Sequence, residues 1–370
     1  MAVMSSDDKR WNQRKSVQMI MVSRRREPLN RRFTGRLEHG GRPVRVECQH
    51  GLMALERGLA PVRSTSGAWS SILIFLIAAL SGRAVNAGEP PMVQLTFAPG
   101  GDGITAWSPD GTRIAFDSSR SGNPDIWVMT ADGVAMVPLT TDPTWDGDPT
   151  WSADGQRIAF ASERSGNLDI WVMSATGEGQ RRLTTTPADD LWPAWSPDGQ
   201  RIAFVSDRSG NFEIWVMDPN GGSLEQLTTY GGSYPTWSPD GSQIAFVSGD
   251  GEVWVASALG GDPTQVTPPD PSDDAYPSWS PDGRRIAFMS GRSGNVDIWL
   301  VPVSGGAAEQ VTFHPDWNAF PAWSPDGSRI SFQSNRAGYY AIWVMTLPTA
   351  VDETTWGAIK GNYLTETRVH

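Results

Sequence analysis

Two pairs of adjacent carboxylates, Asp189–Asp190 and Asp273–Asp274, are the residues of this 370-residue chain whose types and spacing best suit chemistry. Acids held side by side can divide general-acid and general-base work on a glycosidic bond, or share a calcium ion through oxygen ligands. Adjacent acids in a loop are more often solvated surface, so the pattern is weak by itself. Other chemistries lack their residues. Cys48 is the only cysteine, so residues 88–370 hold no thiolate nucleophile, disulfide or cysteine-based zinc site. No G-x-S-x-G element occurs, and only His314 and His370 lie in residues 88–370, which argues against a Ser-His-Asp triad or a multi-histidine metal site. We therefore assign no catalytic residue, metal ligand or cofactor and expect a non-enzyme. Calcium on paired acids belongs to the alternative, a propeller that binds or cleaves polysaccharide.

The acids sit inside a repeat. The tryptophan of a W-S-[PA]-D-G element recurs at Trp107, Trp151, Trp195, Trp237, Trp279 and Trp323. A second follows in step at Trp127, Trp171, Trp215, Trp254, Trp299 and Trp343. The W-S tryptophans are spaced by 42 or 44 residues, within the range of propeller blades. Within a unit, "PAWS", "RIAFVS", "EIWVM" and "LEQLT" read as four short strands, separated by turn sequences such as "PDG", "RSGN" and "PNGG". The interiors "IAF" and "IWVM" are apolar at consecutive positions, as in strands covered on both faces. These features predict an all-β fold, a six-bladed propeller of four-stranded blades. "MVQLT" (Met92–Thr96) matches a fourth strand but precedes the first unit, so it is expected to complete the sixth blade and close the ring; "NYLTE" (Asn362–Glu366) is the competing segment.

The repeat W-S-P-D-G-x-x-I-A-F-x-S-x-R-S-G-N-x-D-I-W-V-M resembles that of the TolB-type propellers of bacterial cell envelopes, over Val93 to about Met345. The resemblance implies a periplasmic propeller that docks other proteins, among them a peptidoglycan-associated lipoprotein, at its channel mouth. It does not extend to the α/β domain that precedes the propeller in TolB, since only about five residues separate Ala87 from the first strand.

Departures from the repeat point to function. Five residues before each W-S tryptophan stand Asp102, Asp146, Asp190, Gly232, Asp274 and Asn318, and the "RSGN" loops bring Arg120, Arg164, Arg208, Arg292 and Arg336. The fourth unit lacks the acid and the arginine together, as a structural pair would require; an exposed pair would contribute about 0–1 kcal/mol. Three residues before the tryptophan the units differ most: Ile104, Asp148, Trp192, Tyr234, Tyr276 and Phe320. Four consecutive blades thus place an aromatic beside the channel mouth. Trp145 and Trp317 extend that rim, and Asp148, Asp190 and Asp274 border it. Such rings can plug the mouth or pack between blades; as exposed anchors they would suit a protein, a peptide or a glycan.

Charge and targeting complete the reading. Residues 1–87 carry 15 Lys+Arg against 6 Asp+Glu, whereas residues 88–370 carry 15 against 35. So negative a surface repels phosphate backbones, and no nucleic-acid partner is expected. "SSILIFLIAAL" (Ser70–Leu80), followed by Val85 and Ala87, reads as a signal peptide with a cleavage site, too short to remain as a membrane span. The expected organisation is an Arg-rich extension over 1–69, disordered or mis-assigned with the true start at Met53; a signal over 70–87; the propeller over 88–346; and a tail over 347–370. The expected location is periplasmic or secreted, and the expected partner an envelope or secreted protein or peptide.

Overall fold

A computed structural model describes residues 90–347 and the backbone of four short upstream strands, Arg36–His39, Arg42–Arg45, Cys48–Gln49 and Leu52–Met53. The first of these pairs with the second and the third with the fourth. They fall in a separate unit, Met1–Gly82. The candidate signal and the tail after Leu347 lie outside the described residues.

Each repeat unit folds as one four-stranded antiparallel sheet, lettered a to d from the channel outward. In blade 1 these are Asp102–Trp107, Arg113–Ser118, Asp125–Thr130 and Met136–Pro138, paired in sequence order. Blade 6 consists of Asn318–Trp323, Arg329–Ser334 and Ala341–Thr346, and its fourth strand is Met92–Gln94. Trp343 pairs with Gln94 and Met345 with Met92, so the two ends of the propeller share one sheet. The a strands contact one another around the ring, including Asn318–Trp323 against Asp102–Trp107.

The repeat motif is a turn followed by a staple. Ser108 Oγ donates to Asp110 at 2.6 Å and accepts from Arg113 N at 2.9 Å, while Gly111 supplies φ 68°. The Ser108 hydroxyl first, then the N–H and hydroxyl of Thr112, donate to the Asp110 carboxylate and hold it down to about 2. The adjacent tryptophan then reaches across the blade boundary: Trp151 Nε1 donates to Ala106 O at 3.1 Å and Trp237 Nε1 to Ala194 O at 3.0 Å. An arginine of one blade covers the next blade's indole, as Arg157 does Trp195 at 4.7 Å, and Arg329 over Trp107 carries this across the closure. Phe116, Phe160, Phe204, Phe246, Phe288 and Phe332 fill equivalent fully buried positions between blades. Apolar residues on both faces of strands b and c are thus accounted for by blade-on-blade packing.

Candidate functional site

Every a strand carries a register shift two or three residues after it begins. In blades 2 to 6 the bulge places one residue in the left-handed region: Asp148, Trp192, Tyr234, Tyr276 and Phe320, with φ between 48° and 57°. These are the positions at which the repeat varies most. Glycine or asparagine would occupy such a conformation with little strain, and a bulky side chain there costs about 1–2 kcal/mol. The backbone conformation belongs to the repeat; the choice of side chain is specific to each blade.

Four of these side chains form a continuous column. Ring centroids lie 4.2 Å apart for Trp192 and Tyr234, 4.0 Å for Tyr234 and Tyr276, and 4.4 Å for Tyr276 and Phe320. Contacts this close are worth about 0.5–1.5 kcal/mol each, enough to offset much of the backbone strain. Phe320 is buried, while Trp192, Tyr234 and Tyr276 keep part of their surface. Of the two readings the sequence left open, packed rings or separate anchors on a rim, the rings are in mutual contact: two pairs are tilted, at 49° and 32°, and the third is edge-on at 76°.

Two carboxylates complete the cluster. Asp148 interacts with the backbone N–H of Trp192 and with the charge of Asp117. Asp117 lies on strand b of blade 1, where the other blades have Ala161, Val205, Val247, Met289 and Gln333. Its Oδ1 accepts from Ile104 N at 2.9 Å, and it reaches over Gly103, where a Cβ would fall 2.2 Å from Oδ2. Burial pushes the Asp117 carboxyl up to about 7, against the Ile104 hydrogen bond and helped by nearby Asp102. Burial, then the Asp117 charge, pushes Asp148 well above the usual carboxylate range. Burial raises the phenols of Tyr234 and Tyr276, whose rings are in contact, and the Asp148 charge adds to it. Asp117, Tyr234 and Tyr276 keep some accessible surface because they border the channel, but protein encloses them otherwise, so a low-dielectric setting governs their ionisation. The cluster can offer a protonated acid as donor, an ionised acid as acceptor, and an aromatic face.

Other expected site residues are placed elsewhere. Asp190 and Asp274 are fully buried at the carboxylate and committed to Arg208 and Arg292 at 2.8 and 2.7 Å. Asp102–Arg120 and Asp146–Arg164 repeat the pair at 2.7 and 2.6 Å, and in blade 6 Arg336 donates to Asn318 Oδ1 at 2.8 Å. Buried and hydrogen-bonded, these pairs hold loop to strand and are not free to meet a ligand. Each guanidinium also lies over a phenylalanine and a tryptophan of its blade, as Arg208 does over Phe204 and Trp215. Trp145 packs over Gly147 and against the core between blades 2 and 3. Trp317 meets Tyr340 edge-on at 6.4 Å. Among the described residues, no group of three or more His, Cys, Asp or Glu side chains comes together as an ion site. Asp117 was missed in the sequence; the signal was a lone acid at the fifth position of "RIAFDS".

The model of the TolB beta propeller domain matches residues 142–252 and 230–356. The chain belongs to the TolB β-propeller family. Among curated proteins none matches it. Among solved structures it is similar to a TolB-type protein of Agrobacterium tumefaciens, with 23% identity, TM-score 0.56, and coverage of 70% of this chain and 97% of that one. It is also similar to a gluconolactonase of Xanthomonas campestris, with 14% identity, TM-score 0.57 and coverage of 72% and 93%. An oligogalacturonate lyase of Vibrio parahaemolyticus gives 14% identity, TM-score 0.50 and coverage of 70% and 94%. At these identities the likeness is one of fold, which hosts binding proteins and enzymes alike.

Proposed function

We propose that this TolB-like propeller is an exported, non-enzymatic protein that docks a protein or peptide segment at its channel mouth. The observation that carries the reading is the column Trp192–Tyr234–Tyr276–Phe320 facing Asp117 and Asp148. The repeat architecture does not require those six side chains, and together they offer an aromatic face beside paired acids. A segment that inserts an apolar residue against Trp192 and a hydrogen-bond donor toward the acids would match both halves. The acidic exterior disfavours nucleic acid, and the hydrophobic stretch Ser70–Leu80 supports a periplasmic or secreted location.

A second reading rests on the same acids. A carboxyl held at about 7 near a second that burial also raises well above the usual carboxylate range can act as general acid and base, which would suit a glycan substrate. The deciding experiment is a crosslinked pull-down from envelope extract, comparing the wild type with a Trp192→Gly, Tyr276→Gly variant checked for folding. A protein captured by the wild type and lost in the variant supports docking at the column. Equal capture by both removes the site from the column. Glycan turnover abolished by Asp117→Asn would replace docking with catalysis.

A further inference from the structure

Blade 4 lacks the loop arginine that the other five blades carry. In the other five blades the loop arginine follows one pattern: its guanidinium lies over the phenylalanine of strand b and the tryptophan of strand c. Its Nε donates to the serine that ends strand b. The Nε–Oγ distances are 2.9 Å for Arg120–Ser118, 2.9 Å for Arg164–Ser162, 2.8 Å for Arg208–Ser206, 3.0 Å for Arg292–Ser290 and 3.1 Å for Arg336–Ser334. Ring distances run from 4.8 Å for Arg164 over Trp171 to 5.6 Å for Arg336 over Phe332.

Blade 4 keeps the receptor and loses the guest. Phe246 and Trp254 stand opposite one another in register, as Phe204 and Trp215 do, and Ser248 occupies the serine position. The loop "SGDGE" is three residues shorter than its counterparts and carries no arginine. A cavity of about 210 Å³ opens there between blades 3 and 4, bordered by Phe246, Ser248, Ala256, Tyr230, Asp262 and Pro263. Pro263 stands where blade 1 has Met136, the residue that Arg120 Nη1 approaches, so the cavity traces the course of the missing side chain. No cation lines it. The usual carboxylate is also gone, with Gly232 in its place, but Asp262 stands on the wall. Asp250 of the short loop accepts from Trp254 Nε1 at 3.2 Å. Tyr230 at the entrance is 72% exposed, a large aromatic that the propeller core does not use.

We infer that this cavity receives an arginine side chain from a second polypeptide, which takes the place that the chain's own arginines fill in the other five blades. A planar guanidinium satisfies all retained features at once: a π face on Phe246, a hydrogen bond to Ser248 Oγ, and charge complementarity with Asp262. An ammonium lacks the planar stack, and a neutral side chain lacks the charge. The site lies between blades 3 and 4 and stands apart from the channel reading, so either can fail alone.

The test is an amide chemical-shift titration of the full chain with the blocked peptide acetyl-Gly-Arg-Gly-amide, alongside its lysine and citrulline counterparts. Expected are shifts at Gly231, Ser248 and Gly261 with the arginine peptide, at a dissociation constant on the order of millimolar. Lysine should bind several-fold more weakly and citrulline, the uncharged isostere, not measurably. Ser248→Ala, at a partly exposed position, and Asp262→Asn, at an exposed one, should each weaken binding about threefold or more. Equal shifts with citrulline would reduce the site to an apolar crevice and overturn the inference. So would the absence of arginine-peptide shifts at these amides at tens of millimolar.

Discussion

Removing Arg208 alone should be more damaging than removing Arg208 together with Asp190. The Asp190 carboxylate is fully buried and receives Arg208 Nη2 at 2.8 and 2.9 Å. Arg208→Met leaves that carboxylate enclosed without its countercharge, a change that costs about 3–5 kcal/mol. Asp190→Gly leaves a guanidinium whose side chain is 13% exposed and still held by Ser206, so it should cost about 2–3 kcal/mol. The double variant reproduces the state of blade 4, which has Gly232 and no arginine and yet forms the same four strands. Its cost should be about 2–4 kcal/mol, mostly lost packing over Phe204 and Trp215, which leaves a coupling of about 3–4 kcal/mol. Urea unfolding of the four proteins, followed by tryptophan fluorescence, measures that coupling. Additive single costs would refute the reasoning, because they would mean that acid and arginine vanish from blade 4 independently.

Three further outcomes follow from the channel. Asp117 has a folded-state pKa raised from 3.8 to about 7, so its contribution is fully present below about 4 and lost as pH rises toward 7. Asp117→Asn should therefore flatten the decline in stability between pH 4 and 7 and be more stable than wild type at pH 8, by about 2–4 kcal/mol; an unchanged pH profile would contradict the burial of this acid. At Tyr276, φ 51° reverses the usual ranking of small residues: Tyr276→Gly should be more stable than Tyr276→Ala by about 1 kcal/mol in denaturant unfolding. Gly103→Ala should lower stability by about 1–3 kcal/mol because its Cβ meets the Asp117 carboxylate, and a second change, Asp117→Ala, should restore most of the loss.

The repeat wrote the fold openly. Trp151, Phe160, Trp171 and their equivalents recur in step because every blade meets its neighbours in the same way, so one packing solution is stated six times. The Asp–Arg pair was legible for the same reason, through its joint loss in the fourth unit. The site was legible only as a list of exceptions. Trp192, Tyr234, Tyr276 and Phe320 stood out because they vary, but nothing in their spacing announced a left-handed bulge that brings their rings within 4.4 Å. Asp117 went unnoticed because it sits one strand away from those exceptions. Its role comes from reaching over Gly103, where its charge acts on Asp148 of the next blade.

Local sequence thus determined which elements form and how they stack, since turns, strand periodicity and buried rings are set by neighbours in the chain and by an interface that repeats. Tertiary structure alone decided what converges. Closing six blades around an axis brings residues 117, 148, 192, 234, 276 and 320 into one low-dielectric cluster. It also turns a three-residue deletion in one loop into an empty arginine site, because proximity across a ring depends on radius and twist, which no single stretch of sequence encodes.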